Sequence, residues 1–205
     1  IDSRQDSYSL GNRSDCIVIA SINNKTKEVR LVSVYRDTYL ELTGRSLDKV
    51  THAYSYGGPT LALSTLNTNL DLDITEFVTV NFDSVSDAVD ELGGVTINIE
   101  NEEIKYINDY IDATAQITHK TAKHVTSAGR QTLDGVQAVA YSRIRYTAGG
   151  DYKRTERMRN VIEAMANKLK SKNIMEINNF MDEILPKVYT NISQKTVMSM
   201  IPDMM

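Results

Sequence analysis

The apolar and polar positions near the start of the chain predict two neighbouring strands. Residues 16–22 form a continuous β-prone run, and residues 28–35 carry apolar side chains at alternating positions. The turn-forming residues 23–26 separate them, and so short a connection makes the two strands antiparallel. Counting outward from the turn brings Asp15 opposite Arg36. One end of this hairpin is therefore expected to carry Arg13, Asp15, Arg36 and Asp37.

Strand and helix patterns alternate along the rest of the chain. Strand patterns cover residues 76–82 and 95–99, and helical patterns cover 60–70, 85–92, 133–141, 175–185 and 193–200. Residues 48–56 are predicted to be irregular, and residues 100–128 a surface insertion or a short helix with a loop. This order predicts an α/β protein with mixed α+β layering, in which a central mixed β-sheet contains the antiparallel hairpin and has helices on both faces. Because neither a repeat nor a linker interrupts the pattern, residues 1–205 are predicted to be a single domain.

The longest helical pattern begins at residues 149–159 with an unusual charge distribution. Its apolar stripe contains Met158, Val161, Ile162, Met165 and Leu169. Its first turns hold Lys153, Arg154, Arg157 and Arg159, with Glu156 among them. A helix N-terminus carries a partial positive charge, so cations there need negative partners. The partner of Arg154, which falls within the stripe, is either a carboxylate of the protein or a bound phosphate.

Composition and charge exclude several classes of function. The net charge of −4 disfavours a nucleic-acid-binding protein that relies on bulk positive charge. The single cysteine, Cys16, leaves no internal disulfide, and the three scattered histidines predict no Cys/His metal site. No apolar run has the length of a membrane span.

Arginines and aspartates are the residues that carry candidate chemistry. Arginines bind phosphate with two hydrogen bonds, and a pair of aspartates suits Mg²⁺ that also contacts substrate phosphates. Such a set of groups is typical of phosphoryl transfer. Arg–Asp pairs at strand ends are equally often plain salt bridges. The excess of arginine over carboxylate in residues 143–159 favours a bound anion.

Eight stretches, taken in order, resemble the LytR–CpsA–Psr family of bacterial cell-wall enzymes. They are residues 1–4 (IDSR), 13–15 (RSD), 32–38 (VSVYRDT), 49–58 (KVTHAYSYGG), 80–82 (VNF), 92–95 (LGGV), 133–145 (LDGVQAVAYSRIR) and 150–157 (GDYKRTER). The resemblance runs from residue 1 to about residue 165. Two positions depart from the family pattern: Met158 follows Arg157 where Gln is frequent, and Cys16 stands where Thr or another small residue is common. Neither departure removes a charged group.

The resemblance implies an enzyme that transfers a glycopolymer phosphate from a polyprenyl-pyrophosphate carrier to a peptidoglycan hydroxyl. Such a domain lies at the extracytoplasmic face of the cell membrane, held there by an N-terminal helix that precedes this sequence. By motif, Asp2 and Asp15 are expected to hold Mg²⁺, and Asp37 to act as base beside Arg36 and Asp15 in the catalytic group. The arginines expected around the pyrophosphate are Arg4, Arg13, Arg36, Arg143, Arg154 and Arg157. On this basis Arg36→Ala is expected to abolish transfer and leave folding intact.

Three alternatives remain open at this stage. The same arginines suit a polyprenyl-pyrophosphate-binding module without transfer activity, and they suit a pyrophosphatase in which water replaces the sugar hydroxyl. A regulatory nucleic-acid binder is the third alternative, which the negative net charge disfavours. The expected partners are therefore the lipid-linked glycopolymer, the peptidoglycan acceptor and the membrane, and not nucleic acid.

Overall fold

The computed structural model of the chain describes residues 8–23, 25–26 and 28–197. The chain forms two compact units. The first unit comprises Ile1–Asn81 and Val188–Met205, and the second comprises Phe82–Lys187. That one domain covers residues 1–205 stays a prediction.

The elements follow the strand and helix patterns of the sequence closely. In chain order they are β1 (Ile17–Ile22), β2 (Val29–Val34), β3 (Tyr39–Glu41), β4 (Leu47–Lys49), α1 (Thr51–Leu70), β5 (Val78–Thr79), α2 (Phe82–Glu91), β6 (Val95–Ile99), α3 (Glu103–Thr118), β7 (Gly129–Leu133), α4 (Gly135–Arg143), α5 (Gly150–Lys170), α6 (Ile174–Ile184), a 3-10 turn (Leu185–Lys187) and β8 (Tyr189–Thr190). The predicted strand at 76–82 shortens to β5, because Phe82 already begins α2. The predicted helix at 193–200 extends beyond the described residues.

The α/β class is confirmed, but the strands are arranged differently from the predicted central sheet. They pair in the described part of the chain as four two-stranded sheets, β1–β2, β3–β4, β5–β8 and β6–β7, and every pair is antiparallel. The hairpin of β1 and β2 is confirmed, with Ile17 opposite Val34. Sequence pattern predicts strands well but leaves open which strands exchange hydrogen bonds, because pairing is a non-local property.

Helix α1 begins well before its predicted start. Residues 51–56 are helical, so the prediction that they are irregular was wrong. The helix is kinked where Gly57 (φ −150°, ψ 19°) and Gly58 (φ 64°, ψ −157°) leave helical geometry, immediately before Pro59. The Gly-Gly-Pro run therefore interrupts one helix instead of preceding it. Burial of Ala53 and Tyr54 holds the first segment in place.

The core of the second unit corrects the prediction for residues 100–128. This stretch contains α3, a helix of 16 residues, whose Ile107 and Ile111 are almost fully buried. These side chains pack with Val95, Leu133 and Val136, which come from β6, β7 and α4. The stretch is polar overall, so its single stripe of apolar residues at helical spacing was not recognised in the sequence. Among the described residues, no helix is both long enough and apolar enough to cross a bilayer.

Candidate functional site

The end of the β1–β2 hairpin, in the first unit, holds a nearly buried ion pair. Continuing the register of Ile17 with Val34 places Asp15 opposite Arg36, as the sequence predicted. An Nη1 hydrogen of Arg36 is donated to Oδ1 of Asp15. The two side chains keep only 16% and 10% of their surface exposed. Because a charge removed from water needs a partner, each of these groups supplies the countercharge that the other requires.

Thr51 fixes the backbone on both sides of this pair. Its side chain is completely buried, and its hydroxyl donates to the carbonyl oxygen of Ser14 at 2.7 Å. Its amide donates to the carbonyl oxygen of Arg36 at 3.1 Å. The first residue of α1 thus binds the segments that carry Asp15 and Arg36, which explains why the pair is held in one geometry.

Asp37, the predicted base, lies beside a cation. Nζ of Lys49 is 2.9 Å from Oδ1 of Asp37, and the two side chains are 48% and 55% exposed. The Asp37 carboxylate is thus open to solvent, as a base that meets a substrate hydroxyl must be. Arg13 is exposed to solvent. Its assignment to the pyrophosphate and the role of Asp37 stay predictions.

The predicted magnesium ligands are only partly within the described chain. Asp2 and Arg4 lie outside the described residues. Asp15 is described, and its Oδ1 accepts from Arg36. The ranges 8–23, 25–26 and 28–197 hold no group of three or more His, Cys, Asp or Glu side chains that could bind a metal. These residues fit Mg²⁺ only in the mode that uses one or two carboxylates and relies on substrate phosphates for other ligands.

Each cation at the start of α5, in the second unit, has a carboxylate partner. Lys153 contacts Glu156 at 3.0 Å, Arg154 contacts Asp151 at 2.8 Å, Arg157 contacts Glu103 at 2.6 Å and Arg159 contacts Glu163 at 3.7 Å. The sequence left open whether a protein carboxylate or a phosphate balances these charges. The fold brings a carboxylate to each of them. Arg154 is the largest of the fully buried side chains, with 1% of its surface exposed.

Arg157 is bonded to protein groups through all of its nitrogens. Nε donates to Oε1 of Glu103 at 2.6 Å, Nη1 to the carbonyl oxygen of Ile144 at 3.2 Å, and Nη2 to Oγ1 of Thr147 at 2.6 Å. Arg157 therefore ties α5 to the start of α3 and to the loop that follows α4. Its predicted contact with pyrophosphate stays a prediction.

Glu103 is a charged residue that the sequence reasoning missed. Only 3% of its surface is exposed. Glu103, Ile107 and Ile111 recur every four residues, which places the carboxylate on the apolar face of α3. A carboxylate within an apolar stripe is a signal for a buried cation partner.

Arg143 lies at the last residue of α4 between two aromatic rings. Its guanidinium carbon is 4.7 Å from the ring centroid of Phe82 and 5.2 Å from that of Tyr110, and Nη1 donates to Oγ1 of Thr114 at 2.8 Å. Stacking on aromatic faces holds the charge without neutralising it. Arg145, two residues further on, is exposed and was not among the predicted site residues.

Burial and neighbouring charged groups shift the pKa of the Tyr110 hydroxyl. Burial raises the pKa of its hydroxyl most, and Tyr146 also raises it, whereas Arg145, Arg143 and Arg154 act in the opposite direction. Arg143, which contacts the Tyr110 ring, and the exposed Arg145 are the candidate anion-binding side chains of this region, because Arg154 is buried against Asp151.

A polar cavity of about 350 Å³ lies elsewhere in the second unit, between β6, α5 and the start of α3. Its lining includes Asn98, Glu100, Glu156, Asn160 and Glu163. The lining is polar, which does not suit a polyprenyl chain. Its glutamates outnumber its two cations, Lys153 and Arg157, and both cations are already paired with glutamates, which disfavours a bound phosphate.

Comparison with known proteins assigns the chain to a family. The sequence profile of the LytR_cpsA_psr family matches residues 1–204. The chain belongs to this family. The resemblance noted in the sequence is thereby confirmed, and it extends to almost the whole chain.

Two named proteins illustrate the relationship. The polyisoprenyl-teichoic acid–peptidoglycan teichoic acid transferase TagU of Enterococcus faecalis is 35% identical over 194 residues, or 94% of this chain. The chain spans 58% of the length of that relative. TagT, from Bacillus subtilis, provides solved structures of the LytR_cpsA_psr fold. TagT bound to LI-WTA matches with a TM-score of 0.75 at 31% identity, covering 94% of this chain and 68% of that one. TagT with bound octaprenyl pyrophosphate lipid matches with a TM-score of 0.71 at 30% identity, with the same coverage of 94% and 68%.

Proposed function

We propose that this chain transfers a glycopolymer phosphate from a polyprenyl-pyrophosphate carrier to a hydroxyl of peptidoglycan. The observation that carries the proposal is the similarity of almost the whole chain to TagT, whose solved structure contains an octaprenyl pyrophosphate lipid. Teichoic acid is the polymer named for the relatives, so it is the first polymer to test. The proposed place of action is the extracytoplasmic face of the cell membrane, because peptidoglycan is found there.

Arginines supply the electrostatic part of the proposed mechanism. In the first unit, Arg36 is held by Asp15, and in the second, the guanidinium of Arg143 lies over the ring of Tyr110. Transfer of a phosphoryl group passes through a loose transition state, in which charge builds on the leaving phosphate. Preorganised guanidinium groups stabilise that charge without having to reorient during the reaction.

A carboxylate has to accept the proton of the attacking hydroxyl. Asp37 is our candidate, since its carboxylate is exposed and directly follows Arg36 in the chain. The proton passes from the sugar hydroxyl to Asp37 as the oxygen–phosphorus bond forms, and the polyprenyl phosphate leaves.

Magnesium is a further part of the proposal. Asp15, together with Asp2, is the expected protein ligand, with phosphate oxygens of the lipid completing the shell. When bound, the ion would neutralise charge on the diphosphate. Asp15→Asn keeps the shape of the side chain, so it is expected to raise the Mg²⁺ concentration required for transfer.

The proposal is tested by a transfer assay with the purified chain, a lipid-linked glycopolymer and peptidoglycan fragments. Product analysis with and without the acceptor separates transfer from pyrophosphate hydrolysis. The variant Asp37→Asn distinguishes a transferase from a binding module, because a chain that only binds the lipid needs no base. We expect transfer to fall on the order of 100-fold in this variant, as for loss of a general base, while lipid affinity stays unchanged. Lipid binding with neither a phosphodiester product nor a hydrolysis product would leave only the binding module.

A further inference from the structure

Three tyrosine side chains of the second unit lie near Arg143 and have no role in the proposed transfer reaction. Tyr146 is 72% exposed, the largest exposed fraction among the apolar and aromatic side chains of the described residues. Its ring centroid is 6.0 Å from that of Tyr106, with 38° between the two ring planes. Tyr106 and Tyr110 are one helical turn apart on α3, and both pack partly against the core. We call Tyr106, Tyr110 and Tyr146 the tyrosine shelf.

The shelf combines apolar faces with cations. Nζ of Lys105 is 5.9 Å from the ring centroid of Tyr106, and the guanidinium of Arg143 lies over Tyr110 at 5.2 Å. Arg145 immediately precedes Tyr146 in the chain. Lys105 and Arg143 thus lie next to two of the three rings, and both can donate hydrogen bonds to phosphate oxygens.

We infer that the tyrosine shelf binds the sugar ring of a glycosyl phosphate, with the phosphate next to Arg143, Arg145 or Lys105. The inference rests on the proposed function, and it assigns a part of the glycopolymer to named residues. The face of an aromatic ring is electronegative, so it attracts the C–H groups on the apolar face of a pyranose. The hydroxyls of the sugar then stay in contact with water, which suits a side chain as exposed as Tyr146.

The chemistry of the shelf favours a sugar over other occupants. A polyprenyl chain requires a continuous apolar groove, whereas the shelf carries cations and tyrosine hydroxyls. Single-stranded nucleic acid also stacks on aromatic rings, but the net charge of −4 opposes a polyanion without a larger basic surface. A single sugar phosphate needs only a local positive charge.

The test compares two phosphate esters that differ in the ring. The full chain is titrated with glucose 1-phosphate and with glycerol 1-phosphate by ligand-observed NMR. We expect glucose 1-phosphate to bind about 3- to 10-fold more tightly, which is the size of an aromatic stacking effect. Tyr146→Ala is expected to remove this preference, and Tyr146→Phe, which keeps the ring, is expected to retain it.

Met175→Ala is the matched control, because Met175 is 68% exposed on α6 in the same unit. This control should leave the preference unchanged. Equal affinities of the wild-type chain for the two esters, or an unchanged preference in Tyr146→Ala, would overturn the inference. Circular dichroism checks that Tyr146→Ala is folded, and Tyr146→Phe gives an independent reading.

A parallel titration with inorganic pyrophosphate distinguishes this inference from the proposed function. Tyr146→Ala should bind pyrophosphate like the wild-type chain, because the anion contacts arginines and not the ring. A chain that binds pyrophosphate without preferring glucose 1-phosphate would overturn the tyrosine shelf alone. A chain that prefers glucose 1-phosphate without binding pyrophosphate would keep the shelf and remove the proposed function.

Discussion

The Asp15–Arg36 pair connects function and stability at a single position. Because the pair is nearly buried, Arg36→Ala would leave the Asp15 carboxylate without its cation in a site that water barely reaches. We expect this variant to lose transfer and also to lose on the order of 3 kcal/mol in its free energy of unfolding, measured by urea denaturation. The sequence predicted instead that folding stays intact in this variant, because residue spacing does not show that the pair is buried.

Arg30→Ala is the control for this prediction. Arg30 lies on the same strand, β2, and its ion pair with Glu28 is largely exposed. Exposed pairs contribute little, so the midpoint of denaturation should stay near that of the wild-type chain. An Arg36→Ala variant that is as stable as Arg30→Ala would contradict the assignment of a buried pair.

The Glu103–Arg157 pair makes a second prediction at the same scale. Only 4% of Arg157 and 5% of Glu103 remain exposed at the side chains. Glu103→Met and Arg157→Met are each expected to lower the free energy of unfolding by about 3 to 5 kcal/mol. The double variant Glu103→Met/Arg157→Met should recover much of this loss, because no unpaired charge is left. A double variant whose loss of unfolding free energy equals the sum of the two single losses would refute this account. Separately, titration of Arg157→Met with pyrophosphate tells whether Arg157 also contacts the anion.

At the scale of elements, the start of α4 makes an unusually close contact with α2. A Cβ added at Gly135 would lie 2.1 Å from the carbonyl oxygen of Ser86, and that atom belongs to the backbone. Gly→Ala in a helix ordinarily stabilises it by roughly 1 kcal/mol. Here we expect Gly135→Ala to destabilise the chain by about 2 kcal/mol, since the two helices must move apart.

The thermal midpoint of Gly135→Ala checks the sign of this effect. The double variant Gly135→Ala/Ser86→Ala should stay destabilised, because trimming the serine side chain leaves the backbone oxygen in place. Stabilisation by Gly135→Ala would show that the contact is looser than described.

A charged network between elements of the second unit predicts a response to acid. Asp87 on α2 contacts Lys120 at 2.6 Å and Lys187 at 3.0 Å. Burial raises the pKa of Asp87, but the hydrogen bonds from the two lysines outweigh burial and leave it below its usual value of 3.8. An acid whose pKa is lowered by folding stabilises the folded state above the unfolded pKa and loses that contribution as the pH falls through the folded one.

We therefore expect the free energy of unfolding to fall as the pH drops below about 4. Asp87→Asn should be less stable than the wild-type chain at neutral pH and should show a shallower decline in acid. Denaturation midpoints measured across this range check both statements. Curves that stay parallel for the two proteins would exclude Asp87 as a source of the acid response.

At the scale of the whole molecule, charge sets the expected partners. The net charge of −4 leaves no bulk attraction for DNA, while local groups of arginines remain able to bind a diphosphate. In a salt titration from low to physiological ionic strength, we expect no association with duplex DNA, whereas pyrophosphate binding persists. Salt-sensitive DNA binding in the micromolar range would instead support a regulatory nucleic-acid-binding protein.

Local patterns in the sequence were sufficient for most of the elements. The β1–β2 hairpin, α2, β6, α4 and α6 lie close to their predicted positions, because each has a clear period and a turn or cap at its end. Local patterns could not predict that β6 pairs with β7 or that α3 is buried. Both depend on residues that are distant in sequence.

The sequence by itself determined the family, the α/β class and the hairpin end at which Asp15 faces Arg36, because a short turn fixes the register of the strands it joins. It also required a negative partner for Arg157. Only the tertiary structure decided that Glu103, 54 residues away along the chain, is that partner, and that Arg143 lies against Phe82 and Tyr110. Turn length and periodicity act over a few residues, whereas the partner of a buried charge depends on which distant surfaces are packed together.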